Sequence, residues 1–282
     1  RESYREVPRI RRYILLSQKR KTTFMIDSHT HIYMEEFDTD RNEALERAKA
    51  AGVERLILPD IDSESRPRML ELAAAHPDYC HAMAGLHPTS VNDNPHWREE
   101  LDAVERLLRE PPMALCGVGE IGLDLYWSQD YYRQQREVLH AQIELALQYD
   151  KPVVIHTRSA YDEMEDALAT YRSRGLRGVL HAYADSAERA LKFAKMGDIY
   201  FGVGGVVTFK NAGLDKEVAQ LPVELLLLET DCPYLTPVPH RGKRNESAYV
   251  EHVCRKVAEL HNTSFEHVDS LTTATAKRLF SL

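Results

Sequence analysis

The chain has no apolar run that approaches the roughly 20 residues a membrane-spanning helix needs. LLLL at 225–228 is among its longest, so no membrane span is expected. Cysteine is sparse: Cys80, Cys116, Cys232 and Cys254 are scattered without CxxC spacing. A chain of 282 residues does not depend on disulfides, which favours a reducing, cytoplasmic setting. There is no Gly-Ser linker, low-complexity tract or internal repeat after residue 25, which leaves one domain as the simplest organisation. A dinucleotide-type loop is missing too. Gly202, Gly204 and Gly205 do not keep GxGxxG spacing, and tight packing against a strand is the expected role of these glycines.

Positive charge is also scarce in the body of the chain. The formal net charge is −8. Residues 1–24 carry eight basic residues against two acidic ones, a segment charge of +6, which leaves −14 for the rest. The basic segment has no apolar core of the secretory kind and runs directly into Met25. It is expected to be an upstream extension outside the fold, in preference to a basic arm or a transit peptide, with the domain spanning 25–282. An acidic body does not point to nonspecific duplex binding through broad phosphate neutralisation, so a phosphate-bearing substrate must be met locally.

What the chain does contain is a regular alternation. Candidate strands at 24–27, 53–58, 81–86, 114–119, 152–156, 178–181, 199–204 and 224–229 are separated by amphipathic segments. The helical segments span 41–51, 66–75, 98–109, 131–149, 160–174, 187–195 and 212–221, with a final pair at 246–261 and 265–281. Such alternation argues for βαβ units and a parallel sheet. Eight units in this length match a (β/α)8 TIM barrel, an α/β fold, although alternation does not exclude an open doubly wound sheet.

Polar residues able to bind metal recur at the ends of these strands. His29 and His31 follow the first, Glu120 the fourth, His156 the fifth, His181 the sixth and Asp231 the eighth. Positions two apart on extended backbone face the same side, so His29 and His31 can reach one cation. A single His at a strand end is most simply structural, and an HxH pair is unremarkable in a chain with 13 histidines. Recurrence at successive strand ends is what makes the set a site. Six nitrogen and oxygen ligands exceed the three of an ordinary catalytic zinc and suit two divalent ions sharing a carboxylate, with Zn, Mn or Mg all acceptable. Such a pair serves hydrolysis. Asp60 and Asp62, after the second strand, are expected to form turns.

The segments DSHTH (27–31), GLHP (85–88), VGEIGLD (118–124), KPVVIHTR (151–158), LHAY (180–183), GVGG (202–205) and ETDCPYLTP (229–237) resemble those of the TatD family of metal-dependent deoxyribonucleases, within the amidohydrolase superfamily. The resemblance covers residue 25 to the C-terminus; GEIGLD and ETDCPYL are its most specific parts. It implies a TIM barrel with two divalent ions. His29, His31 and Asp231 would hold one ion, His156 and His181 the other, and Glu120 would bridge. It further implies Asp231 as general base and a phosphate met by His87 and Arg158. Asp124 would line the site, and Arg241 and Arg244 would lie on a loop bringing local positive charge. The implied partner is DNA, as single strands or 3′ ends, cut in the 3′ to 5′ direction. LHAY departs from the HCF or HGF of many relatives while keeping His181. A dimetal hydrolase of lactones or amides is the alternative reading, and a noncatalytic metal-binding scaffold the third.

Overall fold

The runs at 56–58, 153–155 and 225–228 are apolar on both faces, the pattern of parallel strands covered by helices on one side and filled by their neighbours on the other. A computed structural model describes residues 24–282. It places eight strands there: β1 Met25–Asp27, β2 Val53–Leu58, β3 Cys80–Ala82, β4 Val118–Asp124, β5 Val153–Arg158, β6 Arg177–Leu180, β7 Asp198–Val203 and β8 Leu226–Leu228. Each is followed by a helix: α1 Arg41–Ala50, α2 Arg66–Ala75, α3 Trp97–Arg109, α4 Tyr132–Gln148, α5 Tyr161–Ala169, α6 Ala187–Phe193, α7 Leu214–Val218 and α8 Val250–Leu260. A ninth helix, α9 Phe265–Phe280, ends the chain. Residues 1–23, most of the expected extension, lie outside the described residues. No helix among the described residues is long and apolar enough to cross a membrane.

The strands pair in parallel as β1-β2-β3 and β4-β5-β6-β7-β8. Both seams between the two groups carry backbone bonds. Ala84 bridges Val118, and the Gly119 N–H donates to the Ala84 carbonyl at 2.9 Å. On the other side, the Ser28 N–H donates to the Leu228 carbonyl at 3.0 Å and Thr30 bridges Cys232. The ring is thereby closed, which settles the choice between barrel and open sheet.

Alternation along the strands sorts their side chains. Ile26, Ile57, Met83, Val154, Val179 and Leu227 pack together inside the ring, and Ala276, Leu279 and Phe280 of α9 complete that cluster. Neighbours such as Leu56, Leu58, Ile155 and Leu180 turn outward to the helices. Helix α9 covers the end at which the strands begin. The Phe24 N–H donates to Asp269 Oδ2 (3.1 Å), Thr273 Oγ1 donates to the Phe24 carbonyl (2.9 Å), and Lys277 pairs with Glu54 (3.0 Å). Phe24, the first described residue, is thereby tied to α9. With the floor closed, the opposite end, where strands finish, is the open face of the barrel.

One strand departs from expectation. The fourth was expected at 114–119 but runs Val118–Asp124, paired with β5 from Val118–Val153 to Asp124–Arg158. Gly119, Gly122 and Asp124 have poor strand propensity, and pairing with β5 overrides it. Glu120 therefore lies within its strand rather than after it. The seventh helix is also shorter than expected, Leu214–Val218 in place of 212–221.

Candidate metal centre

At the mouth, the interior rows of the barrel change from apolar to polar. Val154 is followed two residues later by His156, Val179 by His181 and Leu227 by Glu229, each keeping the inward parity of its strand. At β1, a bend at Ser28 and His29 resets the alternation, and both His29 and His31 face inward. Their Nε2 atoms lie 3.1 Å apart. Asp231, held in the left-handed region (φ 56°), brings its Oδ1 to 3.6 Å from His29 Nε2 and 3.5 Å from His31 Nε2.

Glu120 stands between two sets of donors. Its Oε2 lies 3.2 Å from His29 Nε2 and 3.5 Å from His31 Nε2. Its Oε1 lies 3.0 Å from His156 Nδ1, 2.8 Å from His181 Nε2 and 3.3 Å from His87 Nε2. The six sequence-predicted metal residues are thus brought together, with Glu120 at the centre.

The hydrogen bonds behind the histidines fix their inward faces. Tyr33 Oη donates to the Pro59 carbonyl (2.5 Å), so it accepts from His31 Nδ1–H (2.9 Å), and Nε2 is left to the site. Asp124 Oδ2 accepts from His156 Nε2–H at 2.9 Å, turning Nδ1 inward. Glu229 Oε1 lies 3.5 Å from His181 Nδ1, the side away from Glu120. Carboxylate or hydroxyl partners of this kind set the tautomer and orientation of metal-binding imidazoles. His87 is arranged the other way: its Nδ1 accepts the Thr89 N–H (3.2 Å), so Nε2 carries the proton and donates into the site. It is a donor to anions rather than a lone-pair ligand.

The donor set fits a divalent cation. Inward nitrogen lone pairs and carboxylate oxygens crowd within 3.1–3.6 Å, which needs positive charge at the centre. His29, His31 and Glu120 form one group able to hold an ion, and His156 and His181 face the other oxygen of Glu120. Protons can supply that charge. Burial pulls His31 down, yet its bonds to Asp231 and Glu120 and their negative charge outweigh this and bring its pKa to about 9. Burial likewise pushes the Glu120 carboxyl up, but the surrounding histidines hold it well below the usual carboxylate range. Asp231 is lowered in the same way: burial opposes it, and the bond from His31 with the charge of His181 and His29 prevails. A divalent ion would take the place of these protons, and binding of this type releases them. Histidine and carboxylate ligands without thiolate suit Zn, Mn or Mg.

The expected substrate residues separate into three groups. His87 and Arg158 lie at the mouth; among the described residues Arg158 makes no ion pair, and its guanidinium stacks 3.8 Å above the Tyr126 ring. Arg241 stacks on Phe209 at 3.8 Å. Asp124 and Arg244 depart from expectation. Asp124 is 1% exposed and its Oδ2 accepts from His156, so it orients that histidine instead of lining the pocket. Arg244 forms a two-pronged bond to Asp40 (2.6 and 2.8 Å), donates to the Glu36 carbonyl (2.7 Å) and lies over Phe37. Its guanidinium is consumed in fastening the loop to the start of α1. Asp62 Oδ1 accepts the Ser65 N–H ahead of α2, the turn role expected of it, whereas Asp60 is buried, pairs with Arg66 (2.7 Å) and accepts the Gly85 N–H (3.0 Å) instead of forming a turn.

Two residues of this centre escape the sequence reading. Tyr33 shares the alternation of His29 and His31, which is the signal that could have found it. Glu229 is two residues beyond Leu227, the same signal on β8. It is fully buried and accepts the Ala182 N–H at 2.5 Å. A Cβ on Gly202 would come within 2.1 Å of Glu229 Oε2, so that glycine makes the space the carboxylate occupies.

Comparison with known proteins agrees with this geometry. The family model described as TatD related DNase matches residues 26–281. The chain is 39% identical over 263 residues to "Uncharacterized metal-dependent hydrolase YabD" of Bacillus subtilis, covering 92% of this chain and 99% of that protein. It is 31% identical over 265 residues to "3'-5' ssDNA/RNA exonuclease TatD" of Edwardsiella piscicida, covering 92% and 100%. Among solved structures, YjjV, a TatD homolog from Escherichia coli K12, superposes with a TM-score of 0.84 at 30% identity, over 92% of this chain and 98% of that one.

Proposed function

The chain belongs to the TatD related DNase family of metal-dependent hydrolases, and from that premise we propose that it cuts phosphodiester bonds of DNA, working from the 3′ end of a single strand with two divalent ions. One observation carries the two-ion reading: the two oxygens of Glu120 face separate donor groups, His29 with His31 on one side and His156 with His181 on the other. Asp231 completes the first group. Bound there, a divalent pair supplies Lewis-acid polarisation of the phosphoryl group and a lowered pKa for water.

The protein's own groups supply the rest. Asp231 Oδ1 is turned to His29 and His31, which leaves Oδ2 to orient the attacking water and accept its proton. His87 Nε2–H donates to a non-bridging phosphate oxygen. Arg158, without a carboxylate partner among the described residues, offers the paired donors that match a phosphate, and Arg241, stacked on Phe209, adds charge from the loop after β8. The relative from Edwardsiella piscicida whose name specifies 3′-5′ action on single-stranded DNA and RNA supports the choice of polarity and strand.

A substrate panel tests this reading. Protein stripped and reloaded with Mg, Mn or Zn is incubated with labelled single- and double-stranded DNA, RNA, and neutral lactones and amides. Shortening of the single strand from its 3′ end is expected, with Arg158→Ala weakening strand cleavage by about tenfold through loss of a charged phosphate contact. Turnover of a lactone or amide alone, unaffected by Arg158→Ala, would assign the same centre to another substrate class.

A further inference from the structure

Two aromatic side chains stand in solvent beside the mouth: Tyr126 is 57% exposed and Trp127 67%. Leaving such faces in water forgoes the burial that ordinarily holds aromatic residues inside. These two are nonetheless fixed. Asp124 Oδ1 accepts the Tyr126 N–H at 3.1 Å, and the Leu125 N–H donates to the Arg158 carbonyl at 3.0 Å. The Arg158 guanidinium covers the Tyr126 ring at 3.8 Å and lies 5.4 Å from the Trp127 ring. The two rings meet edge to face, 5.0 Å between centroids. The carboxylate that orients His156 thus also holds this loop.

We propose that Trp127, braced by Tyr126 and Arg158, is a base-stacking subsite that receives the nucleobase beside the phosphate being cut. The proposal rests on the phosphodiesterase reading above and adds how that centre selects unpaired nucleotides. Every base has a π-face, so stacking on an aromatic side chain tolerates any sequence. In a duplex those faces are already covered by neighbouring bases, whereas a single strand or a frayed end exposes them. Trp127 is three residues past Asp124, which limits the separation of their Cα atoms to about 11 Å. Arg158, the residue assigned to the phosphate, lies against both rings, so the platform stands beside the mouth. Arg158 serves both parts, stacked with the aromatic pair and, with no ion pair among the described residues, keeping its charge for the strand's backbone. Tyr, Trp and Arg also anchor protein interfaces; the backbone bonds that join this loop to Asp124, and through it to His156, favour the substrate.

The test compares metal-loaded wild type, Trp127→Ala and Trp127→Phe on a single strand and on the same strand with abasic sites at its 3′ end. Wild type is expected to show a KM about tenfold lower for the intact strand, the size of one base–aromatic stack. Trp127→Ala is expected to raise the intact-strand KM by about that factor and to erase the difference between substrates, with kcat little changed. Trp127→Phe keeps a ring and restores most of the preference. Unchanged KM in Trp127→Ala, or an equal rise on both strands, overturns the subsite. A smaller assembly in solution with undiminished cleavage assigns the pair to a protein interface and overturns it as well. Failure of wild type to cut either strand defeats the phosphodiesterase reading itself, and the subsite falls with it.

Discussion

Glu120→Gln is expected to bind one divalent ion in place of two and to cut single-stranded DNA about a thousandfold more slowly. Glutamine preserves the size of the side chain but removes the charge and one acceptor oxygen. Both oxygens are engaged in the native site, Oε2 toward His29 and His31 and Oε1 toward His156, His181 and His87. An amide can turn only one oxygen to one group; its NH2 then faces lone pairs that require a cation. Loss of several kcal/mol of transition-state charge stabilisation, at 1.36 kcal/mol per tenfold, corresponds to roughly three orders of magnitude. Metal analysis after gel filtration, with initial rates on a labelled strand, measures both effects. Retention of two ions with a near-normal rate would remove Glu120 from the centre.

Asp231→Asn is expected to be as damaging to turnover but not to metal content. Asp231 approaches His29 and His31 through Oδ1 alone, and an asparagine carbonyl oxygen can keep that position. What it cannot do is accept the proton of the attacking water. Loss of a general base lowers turnover by about 10²–10⁴-fold. The distinguishing result is a fall in kcat with KM and bound metal close to wild type. Equal loss of metal from Asp231→Asn and Glu120→Gln would instead make Asp231 a ligand and no more.

The parts of this centre that follow period-two alternation were legible in the sequence, because the parity of a strand survives folding. His156 and His181 continue the inward rows of Val154 and Val179, and His29 and His31 share a side as their spacing requires. Glu120 was found for a partly mistaken reason. Its strand was expected to stop at Gly119, whereas it runs on to Asp124, pairing with β5 at Val118 and again from Ile121 to Asp124, and carries Glu120 inside. Arg244 was misplaced because a sequence does not disclose which acid a guanidinium meets; Asp40, 204 positions away, captures it. Asp124 looked like a site-lining acid for the same reason, its partner His156 lying on the next strand. Tyr33 and Glu229 carried the right parity, but a tyrosine and a glutamate beside apolar strands have no distinctive signal until the histidines they orient are in place.

The subsidiary features depend on one proposition, that two ions shared through Glu120 are required for phosphodiester cleavage. It is tested most directly by stripping the protein with a chelator, returning Mn stepwise, and recording bound metal and release from a 3′-labelled single strand on the same samples. Activity is predicted to lag through the first equivalent, rise with the second and level off at two ions per chain. Full activity at one equivalent, or an intact strand at saturation with Mn, Mg and Zn alike, would contradict the account.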